Sequence, residues 1–492
     1  MTGAVQCVAA ASGLPCWSRA VATCVILVLL ALPTAQGLLD SVGEEVTPLI
    51  VPLRREVVPM YHAGKLVSIK TSYSGVVHVG GPRPQEFRVV FDTGSGHIVL
   101  PSTMCEVRAC LTKARYNRTE SFSGQRINLN GSPSGTPGIG DSVTIGFGKG
   151  EVRGDFVRDR ICLGPAPGPG EERAADADHC VEAGIVEAFN MSSDPFENFT
   201  FDGIIGLGLQ GLAVSPRFSF LGNQARQDGR FSSGQFGVFL AEGDDEEESE
   251  IAFGGHNPKR LLEPLTWIPL TKPELGYWMV QVMGIYVDDV KLGACSDGPC
   301  TGILDTGTSH LGLPTDYVDP VSDMLIRPAE DISDCRQIEA PIVKVELQGY
   351  NLTILPENYM RRLPIDRMLL KDTEEANATD EANATAADAT AANATGANAS
   401  AANTTELSCT AKLMAVKIPA LGSNIFLLGE PALHRYYTVY DGKDMRVGLG
   451  LAARRKRQPE AEEMEVSHDE IFLMQQMRGI RSTKRRVGDK VG

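Results

Sequence analysis

Two stretches of ten residues in this 492-residue chain repeat one pattern, and each places an acid at the end of an apolar run. The first reads Asp92-Thr93-Gly94-Ser95-Gly96-His97-Ile98-Val99-Leu100-Pro101, the second Asp305-Thr306-Gly307-Thr308-Ser309-His310-Leu311-Gly312-Leu313-Pro314. Apolar residues at 87–91 and 302–304 predict a strand leading into each Asp. A glycine two positions later permits a tight turn whose backbone N–H can reach the carboxylate. Ser95 and Thr308 add a hydroxyl beside each acid. One such turn is common and means little. Two, on the two halves of one chain, predict a pair of carboxylates brought face to face.

Two adjacent carboxylates cannot both ionise cheaply, so they share a proton and their pKa values split. One site then holds a base that can take a proton from water and an acid that can polarise a carbonyl. Amide hydrolysis without a covalent intermediate requires that combination.

With 42% hydrophobic and 22% charged residues, the chain can bury a large core and should hold two or more domains. Its 51 Gly and 29 Pro favour a turn-rich β protein. A net charge of −16 argues against nucleic acid as a partner and suits solubility in an acidic compartment. Residues 20–32 are an apolar run after Arg19, followed by Pro33 and Ala35-Gln36-Gly37, and residues 1–37 are expected to be a secretory signal peptide. The run is shorter than the ~20 residues of a membrane span. A retained signal anchor is the competing reading, because the segment before Arg19 is long. Nothing else in the chain could span a bilayer, so a soluble mature protein is expected.

Three cysteines lie in the leader, which leaves eight. Their spacing suggests the local pairs Cys105–Cys110, Cys162–Cys180, Cys295–Cys300 and Cys335–Cys409 in an oxidising lumen. A zinc reading of the two C-x4-C loops lacks a His or second pair at ligand spacing, and no metal or other cofactor is expected. Sequons at Asn117, Asn130, Asn190, Asn198, Asn351, Asn377, Asn383, Asn393, Asn398 and Asn403 agree with passage through the secretory pathway. Asn130 is the weakest, since Pro133 follows its Ser132. A secreted or endolysosomal and vacuolar location is expected.

Along the chain, residues 38–64 read as a short pro or N-terminal segment. Residues 65–263 form the half with Asp92, and 264–452 the half with Asp305. Residues 164–178 are a Pro/Gly/Ala/Asp-rich insertion. Asp244-Asp245-Glu246-Glu247-Glu248 is expected at a solvated hairpin tip rather than in a calcium site. Residues 374–405 repeat Ala-Asn-Ala-Thr units too poor in apolar bulk to fold, and should be a glycosylated insertion. A charged tail, 453–492, opens with Arg454-Arg455-Lys456-Arg457, which is either a processing site or a linker.

From about residue 72 to residue 453 the sequence resembles the pepsin-like aspartic endopeptidases. Phe201-Asp202-Gly203-Ile204-Ile205-Gly206-Leu207-Gly208 is similar to the second N-lobe motif of that family. Ile251-Ala252-Phe253-Gly254-Gly255 is similar to its strand leading to the interlobe sheet. Tyr277-Trp278, Leu355-Pro356-Glu357-Asn358-Tyr359, Leu427-Leu428-Gly429-Glu430, Tyr436-Tyr437-Thr438-Val439-Tyr440-Asp441 and Arg446-Val447-Gly448-Leu449 follow in the family's order. Three of the four cysteine pairs fall where the family has disulfides; Cys162–Cys180 is extra. The resemblance implies an all-β, bilobal fold with a substrate cleft between the lobes, Asp92 and Asp305 at its floor, and protein or peptide substrates. It further implies that Ser95 and Thr308 hydrogen-bond the outer carboxylate oxygens, and that Thr93 and Thr306 link the two loops. A monomer is expected.

Two departures stand out. The family's flap corresponds to residues 145–154, with Phe147, Gly148 and Lys149 at its tip. Phe147 replaces the usual Tyr, and Val99 replaces the Trp that contacts its hydroxyl. Both partners of one hydrogen bond are missing together, so no polar group is orphaned and the flap reads as re-tuned. The segment before the catalytic region is also shorter than the family's inhibitory prosegment, and neither Lys65 nor Lys70 can be assigned to that segment's blocking role. His97 and His310, five residues after each Asp, read as structural histidines, with tuning of the acid pair as the alternative. The leading expectation is an aspartic endopeptidase acting at acidic pH. The competing ones are an inert homologue that binds peptides and a structural glycoprotein, which would account for 374–405 but not for the motifs.

Overall fold

The computed structural model describes residues 47–62, 65–134, 140–147, 150–164, 179–226, 231–243, 247–296, 298, 300–329, 332, 334–366 and 407–455. The leader 1–37, the insertion 374–405, Gly148 and Lys149, and all but the first residues of the tail lie outside them.

The described chain is mostly β. One sheet has fourteen strands, a second eight and a third three. The duplicated decapeptides sit in duplicated settings. In the first half, Gln85–Asp92 runs parallel to Gly203–Gly206, which pairs antiparallel with Ile98–Pro101, itself parallel to Cys180–Met191. In the second, Cys300–Leu304 runs parallel to Ile425–Leu428, which pairs antiparallel with Leu311–Pro314, itself parallel to Leu413–Val416. Each Asp thus ends a central strand covered on both edges. Phe87, Val89, Val90 and Phe91 are buried, as are Ile303 and Leu304, with Arg88 the one charged residue in either run.

Between these units the strands Leu49–His62, Ser249–Phe253, Gln235–Phe239, Tyr436–Asp441, Arg446–Leu451 and Thr266–Pro269 pair in sequence across the molecule. An aromatic cluster packs on them. Phe236 stacks on Tyr440 with centroids 4.7 Å apart, and both meet Trp278 edge to face. Phe253 joins this cluster to Phe91, the residue before Asp92. Burial of each Phe ring contributes about 1.5–3 kcal/mol. The indole N–H of Trp278 is satisfied by the Leu207 carbonyl at 2.8 Å, so the ring costs no orphaned donor.

Leu49–His62 also forms a hairpin with Lys65–Val79. Residues 49–62 of the segment read as a leader-proximal piece are therefore integral to the large sheet. Of the tip expected at 244–248, residues 244–246 lie outside the described residues; Glu248 is exposed, and Glu247 pairs with Arg260 and accepts the Arg455 backbone N–H.

All four expected cysteine pairs are disulfides: Cys105–Cys110, Cys162–Cys180, Cys295–Cys300 and Cys335–Cys409. Cys162 and Cys180 face each other across antiparallel strands, so the bond clips the two ends of the 165–178 excursion. Ile365 and Asp366 pair with Ser408 and Leu407, so the excursion holding the Ala-Asn-Ala-Thr units likewise leaves and returns at neighbouring positions.

Candidate active site

The two decapeptide turns meet. Thr93 donates its hydroxyl to the Leu304 carbonyl (2.9 Å) and accepts the Thr306 N–H (3.0 Å). Thr306 reciprocates, donating to the Phe91 carbonyl (2.7 Å) and accepting the Thr93 N–H (3.1 Å). Four hydrogen bonds therefore cross between segments 213 residues apart, each from the residue directly after an Asp.

This lock brings the acids together. A Cβ at Gly307 would collide with Asp92 Oδ1 and lie 3.3 Å from Asp305 Oδ1. A Cβ at Gly94 would lie 2.7–2.9 Å from the Asp305 carboxyl group. Each glycine thus clears space for the opposite acid, a stronger reason for the glycine than turn conformation alone. Each also donates its N–H to its own acid at 2.9 Å.

The second donors differ. Thr308 donates to Asp305 Oδ2 at 2.6 Å. The Ser95 hydroxyl is buried and makes no hydrogen bond of ordinary length, and it acts on Asp92 as a weaker donor. Asp305 consequently has the better donor set and Asp92 the poorer. Burial, and after it the charge of Asp305, raise the Asp92 carboxyl from 3.8 to about 7, against weaker lowering by Ser95 and the Gly94 N–H. A raised carboxyl beside a second one favours a pair that holds a single proton.

The two histidines are walled in. His97 accepts the Val214 N–H on Nε2 at 3.0 Å, and burial lowers its pKa to about 4. His310 lies 2.9 Å from the Ser309 hydroxyl, and burial, with Arg361 and Lys412 beside it, holds it well below the usual histidine range. Neutral imidazoles with local partners brace the turns. Tyr277, next to the core residue Trp278, has its phenol pushed up first by burial and then by the charges of Asp305 and Asp92.

Phe147 ends the outgoing strand Ser142–Phe147 of a hairpin and lies opposite Gly150, the first residue of Gly150–Leu163. Gly148 and Lys149 of the tip lie outside the described residues. Val99 is buried in one apolar cluster with Val152, Val186 and Phe196. No metal-holding group of three or more His, Cys, Asp or Glu occurs among the described residues. None of their helices is long and apolar enough to cross a membrane.

Comparison with known proteins places this geometry in context. The family described as eukaryotic aspartyl protease matches residues 72–366, more than half of the chain. The chain is 26% identical to rat (Rattus norvegicus) gastricsin, over 77% of its own length and 81% of that protein's. It is also 26% identical to plasmepsin VIII of Plasmodium berghei (77% and 87%) and 25% identical to mouse (Mus musculus) cathepsin E (77% and 80%).

Proposed function

The chain belongs to the eukaryotic aspartyl protease family and is an aspartic-type endopeptidase of proteins and peptides, and from that premise we propose that Asp92 and Asp305 are the carboxylates through which it acts. The single observation that carries the reading is the reciprocal Thr93–Thr306 lock, which costs four crossing hydrogen bonds to build and serves to hold two acids together.

In this reading the pair holds one proton, and that proton belongs to the pair rather than to either residue. Burial and the charge of Asp305 favour the protonated form on the Asp92 side. Asp305 accepts from the Gly307 N–H and the Thr308 hydroxyl and serves as the anion. A water between them loses a proton to Asp305 as its oxygen attacks the peptide carbonyl carbon, while Asp92 donates its proton to the carbonyl oxygen. The resulting gem-diol collapses when Asp305 returns a proton to the leaving nitrogen and Asp92 regains one from a hydroxyl. No bond between enzyme and substrate forms. The pair works as acid and base only while it keeps its single proton, which supports hydrolysis at acidic pH.

The domain reading follows from the same pair: residues 65–263 contribute one acid and 264–452 the other, with Phe147 and its hairpin as the flap. A secretory or endolysosomal location is supported by four disulfides and by exposed sequon residues Asn190, Asn198 and Asn351. The test is cleavage of an acid-denatured protein by enzyme made in a glycosylating host, with a statine-type inhibitor as control. Inhibitor binding without any cleavage over pH 3–7 would return the inert peptide-binding reading.

A further inference from the structure

The hairpin that carries Phe147 rests on a row of phenylalanines. The Phe147 ring meets Phe196 edge to face, centroids 5.9 Å apart at 87°. Phe196 meets Phe199 in the same way at 6.2 Å, and Phe199 stacks on Phe201 at 4.7 Å. The far end of this row is tied down. Lys113 Nζ donates to the carbonyls of Phe199 and Phe201 at 2.8 and 2.9 Å. Asp202, next in the chain, accepts the Arg88 N–H from the strand that ends in Asp92. The row therefore joins the hairpin tip to the strand of a candidate catalytic acid.

The seat holds both sides of the tip. On the return side, a Cβ at Gly150 would lie 2.6 Å from Pro195 Cδ and 2.7 Å from Phe196 Cε2, so only glycine lets the backbone settle there. Ser192 fastens the next residue twice: its hydroxyl accepts the Glu151 N–H and its own N–H donates to the Glu151 carbonyl, both at 3.0 Å. On the outgoing side, Phe147 meets the seat through its ring. Phe196 is 2% exposed, whereas Phe147 is half-buried. Edge-to-face contact is directional, because the positive ring edge seeks the negative face. It sets an orientation as well as a contact, and it contains no titratable atom.

We propose that the edge-to-face seat of Phe147 on Phe196 sets the closed position of the hairpin over bound peptide, which makes Phe196 a positioning residue for substrate. The proposal rests on the endopeptidase reading above. It assigns to ring packing what a Tyr hydroxyl contacting a Trp does in the resembling family, and the closure it sets does not vary with pH over the working range.

A double-mutant cycle tests it, with Phe147→Leu, Phe196→Leu and the double variant assayed on one peptide from pH 3 to 6. Each single change should lower kcat/KM mainly by raising KM. The double should fall short of the product of the singles by about two- to twelvefold, equally at each pH. Phe147→Tyr keeps the ring and should stay sensitive to Phe196→Leu, which a purely structural role for Phe196 would not require. Hydrogen exchange at the amides of Val143, Ile145, Glu151 and Arg153 gives a readout independent of catalysis. It should quicken in both single variants and no further in the double. Additive effects within about 1.5-fold, or unchanged exchange, would overturn the seat. A wild type that cleaves nothing would sink the endopeptidase reading instead, with exchange still deciding the seat.

Discussion

Replacing Thr93 by Val keeps the shape of the side chain and removes only its hydroxyl. Thr93 is fully buried, and that oxygen serves two partners across the junction, the Leu304 carbonyl and the Thr306 N–H. Water cannot easily reach either. A buried polar group left without a partner costs about 1–3 kcal/mol, so the two together predict a loss on the order of 2–6 kcal/mol. Thr306→Val orphans the equivalent Phe91 carbonyl and Thr93 N–H, but Thr306 is only half-buried, and solvent should relieve part of the cost. The order of destabilisation should therefore be Thr93→Val above Thr306→Val. Urea unfolding at pH 5 measures both. Because the lock positions the acids, kcat/KM of Thr93→Val should also fall on the order of a hundredfold, the usual consequence of an ångström-scale misplacement. A stability loss below about 1 kcal/mol with kcat/KM intact would mean that the crossing hydrogen bonds do not hold the pair.

Asp92→Asn or Asp305→Asn should abolish peptide cleavage while the protein still folds and is secreted; residual activity above about 1% in either, with contamination excluded, contradicts the assignment. The folded Asp92 carboxyl, at about 7, lies above its ordinary 3.8, so its contribution to stability is full below about pH 4 and lost as pH rises towards 7. Asp92→Asn should therefore be more stable than wild type at pH 7, with the advantage vanishing by pH 4, as read from urea midpoints. Wild-type activity should fall over the same rise, and a maximum at or above neutral pH would refute the shared-proton scheme. Glu242 behaves oppositely: against the upward push of burial, His434, Lys412 and Arg336 hold it at about 2 instead of 4.5. Its stabilisation is present above pH 4.5 and lost as pH falls through 2, so Glu242→Gln should flatten the acid limb of the stability profile. Deleting residues 374–405 should leave a folded, active enzyme, because Asp366 and Leu407 already pair across neighbouring strands and a shorter closure costs little entropy. A large fall in melting temperature would show that the insertion packs on the body.

Much of the site was legible because its chemistry is written locally. An apolar run, an acid, a small residue and a turn are set by consecutive positions, so Asp92 and Asp305, their glycines and the strands before them could be read off two decapeptides. Disulfides closing loops as short as Cys105–Cys110 were readable for the same reason. The strand Leu49–His62 was not. Its residues read as part of a short pro or N-terminal segment, and only pairing with Ser249–Phe253 and Lys65–Val79 makes them sheet.

The sequence by itself therefore determined the two acid-bearing turns, the β character and the short cysteine loops, all of them consequences of nearby positions in the chain. It could not show that burial and the nearby Asp305 raise the Asp92 carboxyl, which depends on how deeply the two turns are packed against each other. Nor could it show that Phe196 meets Phe147, or that Glu242 and Tyr73 come from distant segments to Glu430 and His434 on one helix. Those arrangements, like the Thr93–Thr306 lock across 213 residues, exist only once the sheets bring remote segments within a hydrogen bond or a ring's width of each other. Contact energies at that range fall off within an ångström or two, and separation along the chain carries no information about them.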